Sequence, residues 1–128
     1  MEPKTHLKIN QRLCGVPKVL EEGYAEVELV TTEEMVADEK GLIHGGFVFG
    51  LGDYAAMLAV NEPTVVLAGA SVKFLKPAKV GDVLLAKAKV IESSGKKRIV
   101  EVAVFKEGIE VFKGEFICVV PERHVLEK

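Results

Sequence analysis

The sequence contains no tryptophan, only two cysteines, and no apolar run of the kind that spans a membrane. Cys14 and Cys118 stand far apart in apolar surroundings, without the spacing of a metal site or a disulfide framework. We therefore predict two reduced cysteines that pack inside a cytoplasmic protein. The most apolar stretch, 41–60, contains His44, Asp53 and five glycines, which argues against a membrane helix.

The chain also lacks an excess of charge of either sign, with a formal net charge of −2 over 128 residues. Nucleic-acid-binding proteins usually concentrate basic residues on one face, so the composition does not predict a nucleic-acid partner. The first residues have no apolar core of the kind that a signal peptide needs. The balance of 48% hydrophobic and 28% charged residues is typical of globular proteins, and the length predicts a single domain over 1–128.

The second half of the chain predicts a series of β-strands. Its runs of Val, Ile, Phe and Ala are joined by short turns, as antiparallel hairpins require. The four strands are predicted at 65–76, 83–92, 97–106 and 109–120. Two earlier strands are predicted at 15–21 and 24–30, and the second of them alternates in the strand manner. Residues 7–13 are compatible with a strand or a short helix, and 31–42 with a loop or a short helical turn.

One long helix is predicted between these two groups of strands. It extends from about Gly45 to Val60, because the Asn61-Glu62-Pro63 step cannot continue a helix. The predicted order is therefore two strands, one helix and four strands. An antiparallel sheet of about six strands with one apolar helix must place the helix against its inner face, which gives an α+β fold.

This helix is apolar on nearly all sides. Its two faces carry Phe47, Leu51, Tyr54, Ala55 and Leu58 on one side and Val48, Phe49, Ala56, Ala59 and Val60 on the other. A helix that is apolar all round is buried all round, and one sheet covers only one side. We therefore expect a second subunit over the opposite side.

Asp53 is the single charged residue of the helix. Burial of an unpaired carboxylate is costly and raises its pKa, so such a residue needs a task or a partner. The two interpretations are a functional acid and a structural acid bonded to a neighbouring backbone or hydroxyl group. Gly46 and Gly50 lie on the same stripe, which indicates either close approach of a partner or ligand, or simple packing against the sheet.

The helix begins with two glycines, Gly45 and Gly46, after His44. The first N–H groups of a helix have no partner inside it and lie at the positive end of the helix dipole. Such an end can hold an anion or a developing oxyanion, and glycine permits close approach. The alternative is an ordinary helix entry in which the glycines serve the turn.

Gly45 and Asp53 are too far apart to act on the same reacting group within a single chain. Eight residues separate them, which is about 12 Å along a helix axis. A general base must come within about 3 Å of the proton that it removes. If both act, the helix start comes from one subunit and the carboxylate from another, and a two-fold dimer has two such sites.

Residues 44–53, HGGFVFGLGD, resemble the HGGxxFxLAD motif of the hotdog-fold thioesterases, in the 4-hydroxybenzoyl-CoA thioesterase superfamily. The PaaI-like group, named for phenylacetate degradation, is the most similar. The ASVKFLKP of 70–77 and the VGD of 80–82 are similar to the family's strand with its FLRP step and the Gly-Asp turn after it. The similarity covers about 22–120. It implies a hotdog fold, in which the sheet wraps around one long central helix, and a homodimer or homotetramer.

The resemblance further implies hydrolysis of an acyl-CoA thioester to free acid and CoA, without a metal or other cofactor. The backbone N–H of Gly45 would polarise the thioester carbonyl. The carboxylate of Asp53 from the facing subunit would act as general base or nucleophile. Two positions depart from the family pattern. Asp38 stands where relatives often carry Asn or Gln, which implies altered water positioning, a raised pKa of Asp53, a changed substrate or weak activity, and Gly52 replaces the usual alanine.

Four further residues are candidates for substrate binding: His44, Gly46, Asp38 and Ser71. His44 either fixes the loop or touches substrate, or it hydrogen-bonds near the helix cap. Ser71 is expected on a strand that faces the helix, where it contacts the thioester or Asp53 or is a satisfied buried hydroxyl. The candidates for CoA phosphates are Lys73, Lys76, Lys79, Lys96, Lys97 and Arg98, although exposed cations of this kind are common.

Three functions compete at this point. The first is acyl-CoA hydrolysis. The second is a non-catalytic acyl-CoA-binding or ligand-binding hotdog protein such as a sensor, although we expect no attached DNA-binding region. The third is hydration or dehydration on the same fold, which usually pairs a histidine with an acid in motifs that this sequence lacks.

Overall fold

A computed structural model describes residues 1–127 as a six-stranded antiparallel sheet curved around one long helix. The elements in chain order are α1 (Gln11–Cys14), β1 (Val16–Glu21), β2 (Tyr24–Val30), a short 3-10 helix (Glu33–Met35), α2 (Gly45–Val60), β3 (Val66–Phe74), β4 (Val83–Ser94), β5 (Lys97–Lys106) and β6 (Ile109–Val119). The strand order in the sheet is β1-β2-β4-β5-β6-β3. The predicted α+β hotdog architecture is confirmed.

The observed boundaries agree closely with the predicted ones. α2 begins at Gly45 and ends at Val60, and each strand agrees with its prediction to within two residues at either end. Residues 7–13, for which the sequence is compatible with either a strand or a short helix, contribute to α1. Asn10 begins that helix, because its side-chain oxygen accepts the N–H groups of Arg12 and Leu13.

α2 lies across the concave face of the sheet and forms the centre of the core. Its residues from Leu51 to Ala59 are buried, apart from Asp53. Gly52 makes the closest approach to the sheet, because a Cβ there would lie 3.2 Å from Phe112 Cε1 and 3.4 Å from Val102 Cγ1. Gly52, which departs from the family's usual alanine, therefore lies at a point where the helix packs tightly against the sheet.

The chain's own N-terminal segment covers the C-terminal half of α2 on the side away from the sheet. Tyr54 is buried and hydrogen-bonded to Gln11. Asn61 ends the helix in the left-handed conformation, and its side chain accepts the N–H of Lys4 at 2.7 Å and donates to the carbonyl of Glu2 at 3.0 Å. The expectation that a second subunit must cover this whole side is therefore wrong for the C-terminal half.

The N-terminal half of α2 is the part that stays open in the single chain. Its partly accessible or exposed residues are Gly45, Gly46, Phe47, Phe49, Gly50 and Asp53. A Cβ built at Gly50 would have no atom within 4 Å, so free space lies next to Asp53 on this stripe. We call Gly46, Gly50 and Asp53 the open stripe.

β3 is one of the two edge strands of the sheet. It has the sequence VLAGASVKF, with no proline and a single charge, and its Ala68 and Ala70 are exposed. An unprotected edge of this kind presents unpaired N–H and C=O groups to another strand. Within residues 1–127, no helix has the length and apolar character needed to cross a membrane.

Candidate active site

The start of α2 is held by backbone hydrogen bonds on both sides. His44 has extended backbone angles, φ −60° and ψ 131°, and Gly45 is the first helical residue. The N–H of His44 donates to the carbonyl of Met35 at 2.9 Å, and that of Ile43 donates to Ala78 at 2.9 Å. Because the N–H of a first helical residue has no acceptor inside the helix, Gly45 offers a fixed donor at the positive end of the dipole.

An apolar groove of about 300 Å³ opens beside this donor. It is lined by Leu42, Ile43, Gly45, Val48, Phe74, Leu75, Lys76, Pro77 and Ala78. The ring of Phe74 lies against Gly45, where a Cβ would be 3.2 Å from its Cε1 atom. The same ring packs edge-on against Phe112, with the ring centroids 5.0 Å apart. The groove can therefore hold an uncharged chain with a carbonyl next to the Gly45 N–H.

Phe74 was not singled out as a site residue from the sequence. The signal was its place in the KFLKP run, which was used only as a family motif. Phe74 is 55% exposed in the single chain and lines the groove beside the helix start, which makes it a further candidate for contact with a bound molecule.

His44 does not cap the helix with its side chain. Its ring lies over Gly46, where a Cβ would be 3.0 Å from the imidazole, and is edge-on to Phe47 at 6.3 Å. The interpretation of His44 as a hydrogen-bonding cap residue is therefore wrong, and the exposed imidazole beside the helix start stays a candidate for substrate contact. A side chain at Gly46 would crowd that ring, and the exposed imidazole would have to shift slightly to make room.

Asp53 is partly buried in the middle of α2. Its Oδ1 atom is buried and has no hydrogen-bond partner among the described residues. Burial raises the pKa of the Asp53 carboxyl to about 6. The interpretation of a structural acid bonded to a neighbouring group does not hold for Oδ1, since that oxygen has no such neighbour. A carboxylate kept short of partners and titrating near neutrality is suited to take a proton from water.

Both cysteines lie close enough to Asp53 for its charge to act on them. Burial, and then the negative charge of Asp53, raise the pKa of the Cys14 thiol and raise the pKa of Cys118 to about 12. Both are free cysteines, as predicted. Thiols with a raised pKa are poor nucleophiles, so neither cysteine is a candidate nucleophile in this region.

Asp38 lies in an exposed loop, and its side chain stabilises the loop by accepting backbone hydrogen bonds. Its Oδ1 atom accepts the N–H of Lys40 at 2.9 Å and the N–H of Leu42 at 3.2 Å. The raised pKa of Asp53 arises from burial and not from the charge of Asp38. Within one chain, the effect that was expected of Asp38 on the pKa of Asp53 is therefore absent.

Ser71 lies on the outer face of the sheet, away from α2. Its neighbour Val72 packs against the core, and adjacent strand residues point to opposite faces. Ser71 is exposed and pairs with the exposed Glu115 of β6. The expectation that Ser71 faces the helix is wrong, as is the alternative of a buried hydroxyl.

The candidate cations separate into three groups. Lys73 is exposed on the outer face with Ser71. Lys96 lies in the β4–β5 turn and Lys97 and Arg98 begin β5, at the end of β4 remote from its start at Val83. Lys76 and Lys79 lie near the helix start, where a second cavity of about 430 Å³ adjoins the groove. It is lined by Asp38, Lys40, Leu42, Pro77, Ala78, Lys79, Asp82 and Lys106, and we call it the lysine cavity. Across 1–127, no three His, Cys, Asp or Glu side chains come together as a metal site requires.

Curated proteins similar to this chain are longer than it is. The chain is 60% identical over 119 residues to the methylthioribose-1-phosphate isomerase of Aquifex aeolicus, which covers 93% of this chain and 26% of that protein. It is 35% identical over 97 residues to the transcription factor FapR of Caldanaerobacter subterraneus subsp. tengcongensis, which covers 76% of this chain and 48% of that protein. The chain thus spans about a quarter to a half of these relatives.

Solved structures share the fold over most of the chain. An uncharacterized protein of Pyrococcus horikoshii has a TM-score of 0.98 at 61% identity, covering 99% of this chain and 98% of that one. A Streptococcus mutans protein bound to acetyl CoA has a TM-score of 0.81 at 25% identity, covering 94% of this chain and 99% of that one. The PaaI protein of E. coli has a TM-score of 0.75 at 24% identity, covering 80% of both, which shows the shared hotdog fold.

The model of the thioesterase superfamily matches residues 40–113. This region is more than half of the chain and contains the start of α2, Asp53 and the strands from β3 to β5. The resemblance stated from the sequence motifs is therefore confirmed at the level of the superfamily, and the PaaI protein shares its fold. The chain belongs to the thioesterase superfamily.

Proposed function

We propose that this protein is an acyl-CoA thioesterase whose active site is shared by two subunits. The observation that carries the proposal is the buried Oδ1 of Asp53, which has no hydrogen-bond partner among the described residues, in a carboxyl with a pKa of about 6. Asp53 lies on the open stripe of a helix whose first residue, Gly45, lines an apolar groove. A carboxylate without partners is costly, so its presence here favours a chemical task.

The proposed reaction uses the N–H of Gly45 and the carboxylate of Asp53 together. The N–H of Gly45 donates to the thioester carbonyl oxygen and stabilises the negative charge that develops there. The Asp53 carboxylate of the facing subunit takes a proton from water, and the hydroxide adds to the carbonyl carbon. When the tetrahedral intermediate collapses, the carbon–sulfur bond breaks, the thiolate takes up the proton held by Asp53, and acid and free thiol leave. Direct attack by the carboxylate, followed by hydrolysis of the anhydride, gives the same products.

Three features of the single chain support a shared site. Gly45 and Asp53 are about 12 Å apart along α2, so they cannot meet at one thioester. The open stripe leaves Asp53 next to free space, and the uncovered edge of β3 offers a surface for antiparallel pairing with a second copy. A two-fold axis at that edge gives two equivalent sites.

The comparisons support the class of substrate. The superfamily is named for thioesterases, and a solved neighbour at 25% identity is bound to acetyl CoA. The apolar groove beside Gly45 has the character that a pantetheine arm or acyl chain requires.

The direct test measures thiol release from a panel of acyl-CoAs with a chromogenic thiol reagent. We expect wild-type protein to release thiol, and Asp53→Asn, which keeps the shape of the side chain, to be slower by about 10²-fold to 10⁴-fold. Cys14→Ala serves as a matched control beside the same carboxylate and should keep most of the activity. Equal rates for wild type and Asp53→Asn would rule out the assigned role.

A second candidate is binding of an acyl-CoA without hydrolysis, as in a sensor. The observation that favours it is the 35% identity to proteins named transcription factor FapR, of which this chain matches 48%. The same panel separates the two functions. Tight binding of acyl-CoA by calorimetry, with no thiol release from any member, would favour the sensor.

A further inference from the structure

We propose that residues 2–10 form a pH-sensitive strap, which lies closed over the C-terminal half of α2 while His6 is neutral and opens when His6 is protonated. This inference stands apart from the proposed function. It concerns the N-terminal segment and not the groove beside Gly45, and its test needs no substrate.

The strap is attached to the rest of the protein near both of its ends. The side chain of Asn61 accepts the N–H of Lys4 at 2.7 Å and donates to the carbonyl of Glu2 at 3.0 Å, so one residue holds two backbone groups of the strap. Thr5 is buried, with 4% exposure. At the other end, Asn10 begins α1, which packs against α2. His6 lies between these two attachment points.

His6 has a backbone conformation that few residues adopt. Its φ of 55° is in the left-handed region, where the Cβ of an L-residue crowds the following carbonyl oxygen. A hydrogen bond of 2.8 Å joins its Nδ1 atom to the hydroxyl of Thr5. Such a conformation persists only where the surrounding structure holds it. The backbone at His6 therefore favours opening as soon as the contacts of the strap are weakened.

His6 is half-buried and lines a cavity on each side of the strap. A cavity of about 510 Å³ separates the strap from residues 63–66 and from His124. Another of about 380 Å³ lies between the strap and the side that carries Gln11 and Tyr54. The imidazole is therefore packed less tightly than a core residue, and it is still removed from much of the solvent.

The groups around His6 offer no compensation for a positive charge. Among the described residues, the other charged or titratable side chains that line the two cavities are Lys4, Lys8, His124 and Tyr54. None of them is a carboxylate. Neither cavity is lined by the acids nearest to these groups in sequence, which are Glu2, Glu62, Glu122 and Glu127. A protonated His6 would be half-buried alongside two ammonium groups.

The direction of the pH effect follows from this environment. Burial lowers the pKa of His6 below its ordinary value in the closed strap. The open strap returns the imidazole to water, where its pKa is about 6.5. The neutral form therefore favours the closed strap and the protonated form favours the open one. The contribution of His6 to closure is fully present above about pH 6.5, and it is lost as the pH falls from there towards the lowered pKa.

The test measures hydrogen exchange of single amides in the strap at pH 7.5 and pH 5.0, expressed as protection factors to remove the intrinsic effect of pH. The N–H of Lys4 donates to Asn61 and that of Ile9 donates to the carbonyl of His6 at 3.2 Å, so both report closure. We expect their protection to fall several-fold at pH 5.0, while amides of β5 keep theirs. The ceiling is about thirtyfold, because each pH unit below 6.5 contributes at most tenfold.

Three variants isolate the imidazole. His6→Asn cannot titrate and keeps a residue type that tolerates the left-handed conformation, so its protection should be equal at both pH values. His124→Asn removes the other imidazole of the same cavity and is the matched control, which should keep the wild-type fall. Asn61→Gly keeps the left-handed end of α2 and removes both hydrogen bonds to the strap, so Ile9 should lose protection at both pH values.

Several outcomes would overturn the proposal. Equal protection of wild-type Lys4 and Ile9 at the two pH values would contradict it, as would a fall in His6→Asn as large as in wild type. An independent check does not depend on how the variants fold. Proton NMR titration of the His6 ring in wild-type protein should give a pKa below that of an exposed histidine, and a value equal to or above it would also contradict the proposal.

Discussion

Asp53 brings together a negative charge, a buried oxygen without a partner and free space on the adjacent turn of the helix. Each of these features alone has a structural explanation, but together they leave the carboxylate ready to accept a proton. Burial raises the pKa of Asp53, and the charge of Asp53 adds to burial in raising the pKa of the Cys14 and Cys118 thiols.

The pH dependence of kcat/KM tests this account of Asp53. A general base must be deprotonated, and burial raises the pKa of this carboxyl to about 6. The rate should therefore be constant at neutral pH and fall tenfold per pH unit below about pH 6. A control substrate with a different acyl group should give the same midpoint. A profile that stays flat down to pH 4.5 in folded protein would contradict the role of the base.

At the residue scale, the sequence marks Asp53 and Gly45 as candidates because each breaks a local rule. An acid in an apolar helix and glycines at a helix start are visible without a structure. Ser71 was assigned to the wrong face, because β3 has a register irregularity between Leu67 and Gly69 that a simple alternation pattern does not show.

At the scale of elements, α2 was predictable to the residue because its end is fixed by the Asn61-Glu62-Pro63 step. The packing of the N-terminal segment over the C-terminal half of α2 was not predictable from the sequence. That cover depends on contacts between the N-terminal segment and Tyr54 and Asn61, which are remote in sequence, and no local pattern encodes such pairings.

The packing of β6 against β3 depends on a glycine that the sequence alone did not mark. A Cβ at Gly114 would lie 2.5 Å from the carbonyl oxygen of Ser71 and 2.9 Å from Val72 Cα, and these backbone atoms cannot yield. We expect Gly114→Ala to lower the free energy of unfolding by about 1–3 kcal/mol in urea titrations.

Gly69→Ala is the matched control in the same pair of strands. A Cβ there meets its nearest atom, Ile117 Cδ1, at 3.9 Å, which is ordinary contact. We expect it to change the free energy of unfolding by less than about 0.5 kcal/mol, or to stabilise slightly by restricting the unfolded chain. Equal stabilities for the two variants would contradict the packing described for Gly114.

At the scale of the whole molecule, the proposed dimer depends on the edge of β3. Ala70 is exposed on this strand, and a lysine there introduces a charge that an edge pairing must bury. We expect Ala70→Lys to keep the circular dichroism spectrum of wild type, to sediment as a monomer and to lose most thioesterase activity.

Val16→Lys on β1, the other edge strand, is the control. Val16 is 42% exposed, so a lysine is accommodated there as well. This variant should sediment with the same oligomeric mass as wild type and should keep the wild-type activity. An active Ala70→Lys monomer would show that one chain is sufficient for catalysis.

The sharing of one site by two chains can be isolated with two inactive variants. Asp53→Asn removes the base. Gly45→Pro removes the N–H donor with little change of backbone, because proline is favoured at the first helical position and His44 already has the extended angles that precede proline. Gly45→Ala keeps the N–H and is the matched control, which should remain active.

The most direct measurement is the activity of a purified heterodimer that contains one Asp53→Asn chain and one Gly45→Pro chain. If the site is shared, this heterodimer has one intact site, with Gly45 from the first chain and Asp53 from the second, and should have about half of the wild-type activity per dimer. If each chain formed its own site, both sites would carry a defect, and the heterodimer would be as inactive as the two parent homodimers.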